Sequence, residues 1–425
     1  MSLPLLTVVG GGAAGMAAAA QLPGKVLVLD RSSAVSISAC SIPHYLSGEI
    51  SGAESLLLNT PQQLQSRGIQ VRTNCEVQTV RPNERLLVLR GGEILPYQNL
   101  LLAPGGHWAP SGQQYPNVIV PRDLESALRA KAYLLQPQVQ KVLVVGGGYL
   151  GLELAESAHR CGRQVTLIEP VRPLLGLHSD LEESVLVRFE RPNLRLVQDR
   201  LVGWKGDDLA QTAILSSGGQ VDFDLALVAT GLCPAHPWLA KLPFQRGPSG
   251  GIRVDRQGRT NLPHIFAAGD CCEVPRRLAP GWEHLVTARS AAWMGQAIGR
   301  HLAGESERFP GCIGNLGLRF FDLQIGLTGQ TGEYFTLATD QRQTKVCLYW
   351  KGPGGPLIGA QVLASAAVAE RCNWLALAID CGLSASQMVA SDTLYQPTLS
   401  GLWDPVVQAA RAGVRRGCEK QAYQR

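Results

Sequence analysis

The pattern Gly10-Gly-Gly12-Ala13-Ala14-Gly15 follows an apolar run at 5–9, and a second copy, Gly146-Gly-Gly148-Tyr149-Leu150-Gly151, follows another at 142–145. Each copy reads as strand, tight glycine turn, helix. In such a turn the first glycine makes the bend, the second lets a pyrophosphate approach the backbone, and the third lets the helix lie close on the strand. The start of the helix then offers unpaired N–H groups and the positive end of its dipole to phosphate. Two copies in one chain point to two bound dinucleotides, with electrons passing between them.

The strand after each helix ends in an acid: Lys25-Val-Leu-Val-Leu-Asp30 after the first, Gln164-Val-Thr-Leu-Ile-Glu169 after the second. Both acids fall about 20 residues past their turns, where a carboxylate accepts from a ribose 2′- and 3′-OH pair. Glu169 also bears on the choice of second nucleotide. Like charges ~4 Å apart repel by ~4 kcal/mol at an effective dielectric near ~20, so a 2′-phosphate is disfavoured and NADH is preferred over NADPH. Arg172, three residues on, stands where it could soften that preference.

A chain of 425 residues, 45% hydrophobic and 17% charged, has room for two or three domains with sizeable cores. Its net charge of +5, without a basic run, excludes a dedicated nucleic-acid binder. No apolar stretch approaches the ~20 residues of a membrane span. A first strand from residue 5 leaves no room for a leader, so a cytoplasmic enzyme is expected. Its 11 cysteines show neither C-x-x-C pairs nor zinc spacing; in a reducing compartment most act as small buried hydrophobes, and no metal site is expected.

The fold class expected is α/β, with two dinucleotide-binding domains and a separate C-terminal α+β domain. In the first domain 67–80 and 85–97 read as added strands joined by a turn at Pro82-Asn83, and 100–103 as a buried strand. Residues 109–117 read as a linker. The second domain closes with a strand at 223–229, before Thr230-Gly231. Ile265-Phe-Ala-Ala-Gly269-Asp270 then leads to a helix at 291–302. Beyond about residue 310, strands are expected at 317–328, 334–338, 346–350 and 357–363, and helices at 367–381, 386–390 and 405–412.

These motifs together resemble the two-dinucleotide flavoprotein disulfide reductases over nearly the whole chain. The nearest likeness is to the single-cysteine branch of coenzyme A-disulfide reductases, NADH oxidases and persulfide reductases. The segment Ser36-Ile-Ser-Ala-Cys40-Ser-Ile-Pro43-His44-Tyr45-Leu-Ser-Gly48 resembles the branch's single redox-cysteine segment, and Gly269-Asp270 its second FAD motif. Phe309-Pro-Gly-Cys-Ile-Gly314, Phe320-Phe-Asp-Leu, Tyr395-Gln-Pro397 and Trp403-Asp-Pro405 resemble the dimerisation domain. The resemblance implies two Rossmann-like domains, one inserted in the other: FAD at 1–117 and 225–305, NAD(P)H at 118–224, and a homodimer interface at 306–425. It places Gly10, Gly12, Ala13, Ala14, Gly15, Asp30, Ser36 and Gly269 at the FAD site, with Val77 on the adenine, Arg122 on the pyrophosphate, Asp270 on the ribitol and Ala291 near the isoalloxazine. It places Gly146, Gly148, Leu150, Gly151, Glu169 and Gly231 at the NADH site, with Tyr149 covering the nicotinamide face of the flavin and His178 beside the adenine.

Cys40 lies in a small-residue segment expected to open a helix, where Pro43 is tolerated in the first turn. A thiol at a helix N-terminus has a lowered pKa: only ~3% is thiolate at pH 7 with a pKa of ~8.5, but roughly 90% with a pKa of ~6. No second cysteine stands nearby, so the catalytic disulfide would be mixed, Cys40-S-S-R. His44, one turn on, could stabilise the thiolate or protonate a leaving thiol; the alternative is a packing histidine. Tyr395 resembles the tyrosine that reaches the partner subunit's site. Cys271-Cys272 is read as inert burial.

The chain also departs from the branch. Ala13 stands where peroxide- and oxygen-reducing members carry histidine. The link Gln21-Leu-Pro-Gly24 is short, no arginine occurs between Met1 and Asp30, and Asp340-Gln-Arg-Gln replaces a second family tyrosine, so anchors for a coenzyme A tail are missing. The expected enzyme passes electrons from NADH, or NADPH, through FAD to a Cys40 mixed disulfide, reducing a small-molecule disulfide, persulfide or polysulfide. The alternatives are an NADH oxidase or peroxidase cycling a Cys40 sulfenic acid, an electron-transfer reductase for a small redox protein, and a nucleotide-binding sensor without turnover.

Overall fold

The computed structural model describes residues 3–108, 114–172, 174–230, 232–234, 236–398 and 401–422, with side chains to residue 416. It divides into two compact units. One comprises Met1–Gly146, Ser157–Val165 and Arg200–Cys312; the other comprises Gly147–Glu156, Thr166–Asp199 and Ile313–Arg425.

The first unit is built on a five-stranded sheet in the order Ile265–Ala267, Asn99–Leu102, Leu6–Val9, Val26–Leu29, Ile69–Arg72, every neighbour parallel. Leu6–Val9 is buried throughout, as strands covered on both faces must be. The chain starts mid-sheet, steps one way through Val26–Leu29, then crosses to Asn99–Leu102 on the other side. That reversal puts a ligand crevice at the carboxyl end of Leu6–Val9, where the first glycine turn stands.

Ile69–Arg72 belongs to this sheet rather than to an added strand spanning 67–80. The chain leaves the sheet where Asn74 adopts left-handed backbone at φ 53°. It then pairs Val77–Arg81 with Leu86–Leu89, and that with Ile94–Pro96, as an antiparallel layer. Helix Ala13–Ala19 packs on helix Ala288–Leu302 through two glycines. A Cβ on Gly295 would lie 2.0 Å from the Ala14 carbonyl oxygen, and one on Gly299 2.6 Å from that of Ala18. The second helix starts earlier than residue 291 because Thr287 caps it, accepting from the Ser290 amide at 3.1 Å.

Also in this unit, Lys141–Val145 lies parallel to Leu225–Val228, which lies parallel to Val118–Ile119. The end of the expected linker is anchored: the Tyr115 hydroxyl donates to Gly206 O at 3.1 Å, and buried Asn117 donates to Ala210 O at 2.7 Å and Asp224 O at 2.9 Å. Residues 109–113 lie outside the described residues.

The second unit carries an antiparallel sheet in the order Leu316–Phe320, Leu323–Gly329, Leu357–Ala364, Lys345–Trp350, Tyr334–Thr339. The stretch 317–328 is a hairpin, not one strand, because Phe321 turns the chain at φ 57°. Helices Val368–Asp380, Ala385–Val389 and Pro405–Ala422 cover one face, burying Leu348, Val362, Leu375, Met388 and Val406 together. The last helix runs well past its expected end at 412. Buried Glu156 accepts from the Phe321 amide at 2.6 Å, and Arg188 and Arg191 both reach Asp322, at 2.6 and 3.0 Å. Among the described residues no helix is long and apolar enough to cross a membrane.

Candidate functional site

At the first glycine turn the three glycines do different work. Gly10 has φ +105°, and a Cβ there would strike the Ala103 carbonyl oxygen at 2.1 Å. A Cβ on Gly15 would strike the Gly10 carbonyl oxygen at 2.0 Å, which fixes the helix against the turn. Around Gly12 a Cβ would meet nothing within 4 Å, the open backbone an approaching pyrophosphate requires. Gly12 and Ala13 are exposed, and no side chain caps helix Ala13–Ala19. The Asp30 carboxylate accepts from the Gly11 amide at 2.6 Å and the Ser32 amide at 2.7 Å. A carboxylate has about four lone-pair sites, so it keeps capacity for two hydroxyls.

Several sequence-predicted residues converge here. A Cβ on Gly269 would lie 3.5 Å from that of Ala14 and 3.6 Å from that of Ala291. Asp270 is half-buried; burial pushes its carboxyl pKa up against the pull of His284, whose Nε2 donates to Asp270 O at 2.7 Å. Ser36 is buried in left-handed backbone, φ 60°, with its amide on Gly11 O at 2.8 Å and its hydroxyl accepting from Asn59 at 2.9 Å. Val77 is buried just past Cys75, whose amide donates to Asp30 O at 2.8 Å. Arg122 lies 3.6 Å from Asp123 and is half-buried; burial, then Arg31, lowers its pKa.

Cys40 is exposed, in a 3₁₀ turn at Ala39–Ser41 that leads directly into helix Ile42–Ser47. The cysteine therefore precedes the helix rather than opening it, and Pro43 takes a first-turn position. The helix is fastened through its carbonyls: Ser157 Oγ donates to Pro43 O at 2.7 Å, while Lys131 Nζ and the Cys161 thiol donate to Leu46 O at 2.7 and 3.4 Å. His44 Nδ1 lies 2.6 Å from Glu49, whose other oxygen is 3.6 Å from Arg160. Cys271 and Cys272 are turned inward. Their thiols donate to backbone carbonyls, Cys271 to Leu102 O at 3.4 Å and Cys272 to Gly269 O at 3.2 Å, and burial pushes the Cys272 thiol pKa far up.

The second turn repeats the first. Gly146 has φ +103°, with Thr230 Cγ2 2.4 Å from where a Cβ would stand, and Gly148 faces open space. The Glu169 carboxylate accepts from the Gly147 amide at 2.7 Å and the Val171 amide at 2.8 Å. Arg172 is committed to Glu182 at 2.6 Å, so it does not offset the Glu169 charge. Leu150 and Gly151 lie in the first turn of helix Tyr149–Arg160. The Tyr149 hydroxyl is buried without a hydrogen-bond partner, and burial drives its pKa up. The His178 ring packs on Phe335 at 4.4 Å while its Nδ1 accepts from the Asp180 amide at 3.3 Å, so the side chain is engaged with the C-terminal sheet. Tyr395 is exposed, and Gly231 lies outside the described residues.

Two glycine turns, each with an acid bonded to its backbone, and an exposed cysteine agree with a family model described as pyridine nucleotide-disulphide oxidoreductase, which matches residues 5–292. The chain belongs to that family. It is an enzyme that uses FAD and NAD(P)H. Among curated relatives, an NAD(P)H sulfur oxidoreductase (CoA-dependent) of Pyrococcus abyssi is 28% identical over 96% of this chain and 97% of its own. An NAD(P)H coenzyme A polysulfide/persulfide reductase of Pyrococcus horikoshii is likewise 28% identical, covering 96% and 97%. An NADH oxidase of Enterococcus faecalis is 25% identical over 92% and 94%. Reduced CoADR-RHD of Bacillus anthracis shares the fold at TM-score 0.90 and 22% identity, covering 99% of this chain and 81% of that one.

Sequence reasoning missed the clamp on the cysteine helix, because Lys131, Ser157 and Cys161 carry no local signal. It also missed Gly295 and Gly299, although their i, i+4 spacing in an otherwise regular helix was a visible sign of close helix contact.

Proposed function

We propose that this enzyme reduces a small sulfur–sulfur bond at Cys40. FAD would be held by Gly10–Gly15, Asp30, Ser36, Val77, Arg122, Gly269, Asp270 and Ala291, and NADH by Gly146–Gly151, Tyr149 and Glu169. The domain division is 1–117 with 225–305, 118–224, and 306–425. Bound FAD supplies a two-electron relay between nicotinamide and sulfur. The Cys40 thiolate attacks one sulfur of R–S–S–R′, forming Cys40–S–S–R and releasing R′S⁻. Two electrons then return Cys40 to the thiolate and release RS⁻. His44, with Nδ1 held by Glu49, is the acid that protonates the departing thiolate. Tyr395, exposed on the C-terminal unit, would serve the partner's Cys40 in a cytoplasmic homodimer.

The observation that carries this reading is an exposed cysteine in a turn tied to the first phosphate cradle through Ser36 and Gly11. The relatives named for CoA-dependent sulfur and persulfide chemistry support it. The missing arginines before Asp30 point to a substrate smaller than a coenzyme A disulfide, with persulfide and polysulfide foremost. Mass spectrometry of the isolated protein tests this through the adduct on Cys40. A Cys40→Ser variant that keeps full disulfide-dependent NADH oxidation would sink it. The oxidase reading is supported by the relatives named NADH oxidase; rapid turnover with oxygen alone, and none with sulfur substrates, would select it.

A further inference from the structure

Beside the first cradle lies a cluster that neither the sequence motifs nor the cysteine chemistry uses. His236 is 3% exposed, and its Nε2 is buried without a hydrogen-bond partner. The Pro104 backbone draws the ring's pKa up, against burial. Proline has no N–H, so this pull comes from the Pro104 carbonyl and favours an N–H on the ring nitrogen facing it. With Nε2 unpartnered, the donor is Nδ1–H. Neutral His236 therefore turns a bare lone pair on Nε2 into the interior.

The surroundings are cationic. The His107 ring is 5.3 Å away, centroid to centroid, with Trp238 behind at 6.3 Å from His236. Burial pushes the His236 pKa down to about 4, with His107, Arg31 and Arg122 adding to the effect. Burial, then Arg122 and Arg31, lowers that of His107 as well. Among the described residues the carboxylate paired with this group is Asp123, which also caps helix Leu124–Leu134, accepting from Ser126 N at 2.8 Å. The two imidazoles thus feel the positive charge of two guanidiniums.

The backbone places that cluster next to the first glycine turn. Gly10 abuts Ala103 and Pro104, so the carbonyl that orients His236 adjoins the first glycine turn. Gly105, φ +73°, faces open space, and Arg31 directly follows Asp30, the acid bonded to Gly11.

We propose that His236 and His107 complete the pyrophosphate site of FAD, and that Nε2 of His236 takes up a proton from solvent as the cofactor binds, turning a lone pair that would repel a phosphate oxygen into a donor to it. Without the cofactor, burial opposes that proton, with the neighbouring cations adding to it; the pyrophosphate supplies the missing negative charge. This rests on the assignment of the first glycine turn to FAD. The sign follows from linkage. A group that gains a proton on binding makes binding tighter as pH falls.

The test is FAD affinity of the full-length chain from pH 6 to pH 8, read by flavin fluorescence, with proton uptake read by calorimetry in two buffers of different ionisation enthalpy. Wild type should bind FAD roughly tenfold more weakly per pH unit where the site titrates, with up to about one proton taken up. His236→Asn keeps a donor for the Pro104 carbonyl and removes Nε2. It should bind FAD more weakly at pH 6 and show a flattened pH profile. His107→Asn provides a second, less buried variant should the first not fold. Tight FAD binding with no pH dependence and no proton uptake overturns the proposal while leaving the FAD assignment intact. Absence of FAD binding by wild type at any pH instead overturns that assignment.

Discussion

Replacing Glu169 with Gln should shift nucleotide use from NADH toward NADPH. The carboxylate is positioned by the Gly147 and Val171 amides at 2.7 and 2.8 Å, and Arg172, the nearest candidate to offset it, is paired with Glu182. A 2′-phosphate carries roughly −1.5 to −2 charges; ~5 Å from a carboxylate at an effective dielectric of ~20 it would be repelled by ~5 kcal/mol. Glu169 is only half-buried, so screening reduces this to ~2–3 kcal/mol, about 30- to 150-fold in selectivity. Glu169→Gln removes that repulsion and weakens the charge-assisted ribose bonds, so kcat/KM for NADH should fall about tenfold while that for NADPH rises. The ratio should move by about 100-fold. The assay is anaerobic flavin reduction by each nucleotide in stopped flow. Because glutamine sets an NH2 against one of the two amides, Glu169→Ala and thermal unfolding accompany it. A wild type that prefers NADPH, or a ratio that shifts less than about threefold in both variants, refutes the reasoning.

Other substitutions probe Cys40, Tyr149, the helix contact and the clamp on the cysteine helix. Cys40→Ser should leave flavin reduction by NADH intact while cutting NADH-driven sulfur reduction by at least ~100-fold, since only the nucleophile is lost; steady-state turnover with a persulfide reads the loss. Tyr149→Phe deletes a buried hydroxyl with no partner, so thermal unfolding should show it unchanged or up to about 1 kcal/mol more stable. Gly295→Ala drives a Cβ into the Ala14 carbonyl and should destabilise by about 1–3 kcal/mol or more, with flavin lost on gel filtration. Ser157→Ala removes the side-chain donor to the Pro43 carbonyl and should cost about 0.5–1.5 kcal/mol in denaturant unfolding while lowering Cys40 reactivity toward an alkylating probe.

The two glycine turns and their acids were legible because each role is local. A tight bend, an open backbone and a carboxylate at the next strand end are written within one βαβ unit. Cys40 stood out in the sequence for the same reason, with the small-residue run and Pro43 beside it, and the structure sets it exposed in the turn before that helix. Errors fell where a single residue changed the backbone: Asn74 and Phe321, both left-handed, divided stretches that periodicity read as continuous strands.

The sequence alone thus determined the two nucleotide folds, with their glycine turns and strand-end acids, since these depend on residues close along the chain. Only the tertiary structure decided which distant groups complete the sites. It brought Ala14, Gly269 and Ala291 together, paired Arg172 with Glu182, fastened the cysteine helix with Ser157 and Lys131, and buried His236 against His107. Burial and charge are sums over neighbours in space, and those neighbours are assigned by packing rather than by sequence spacing.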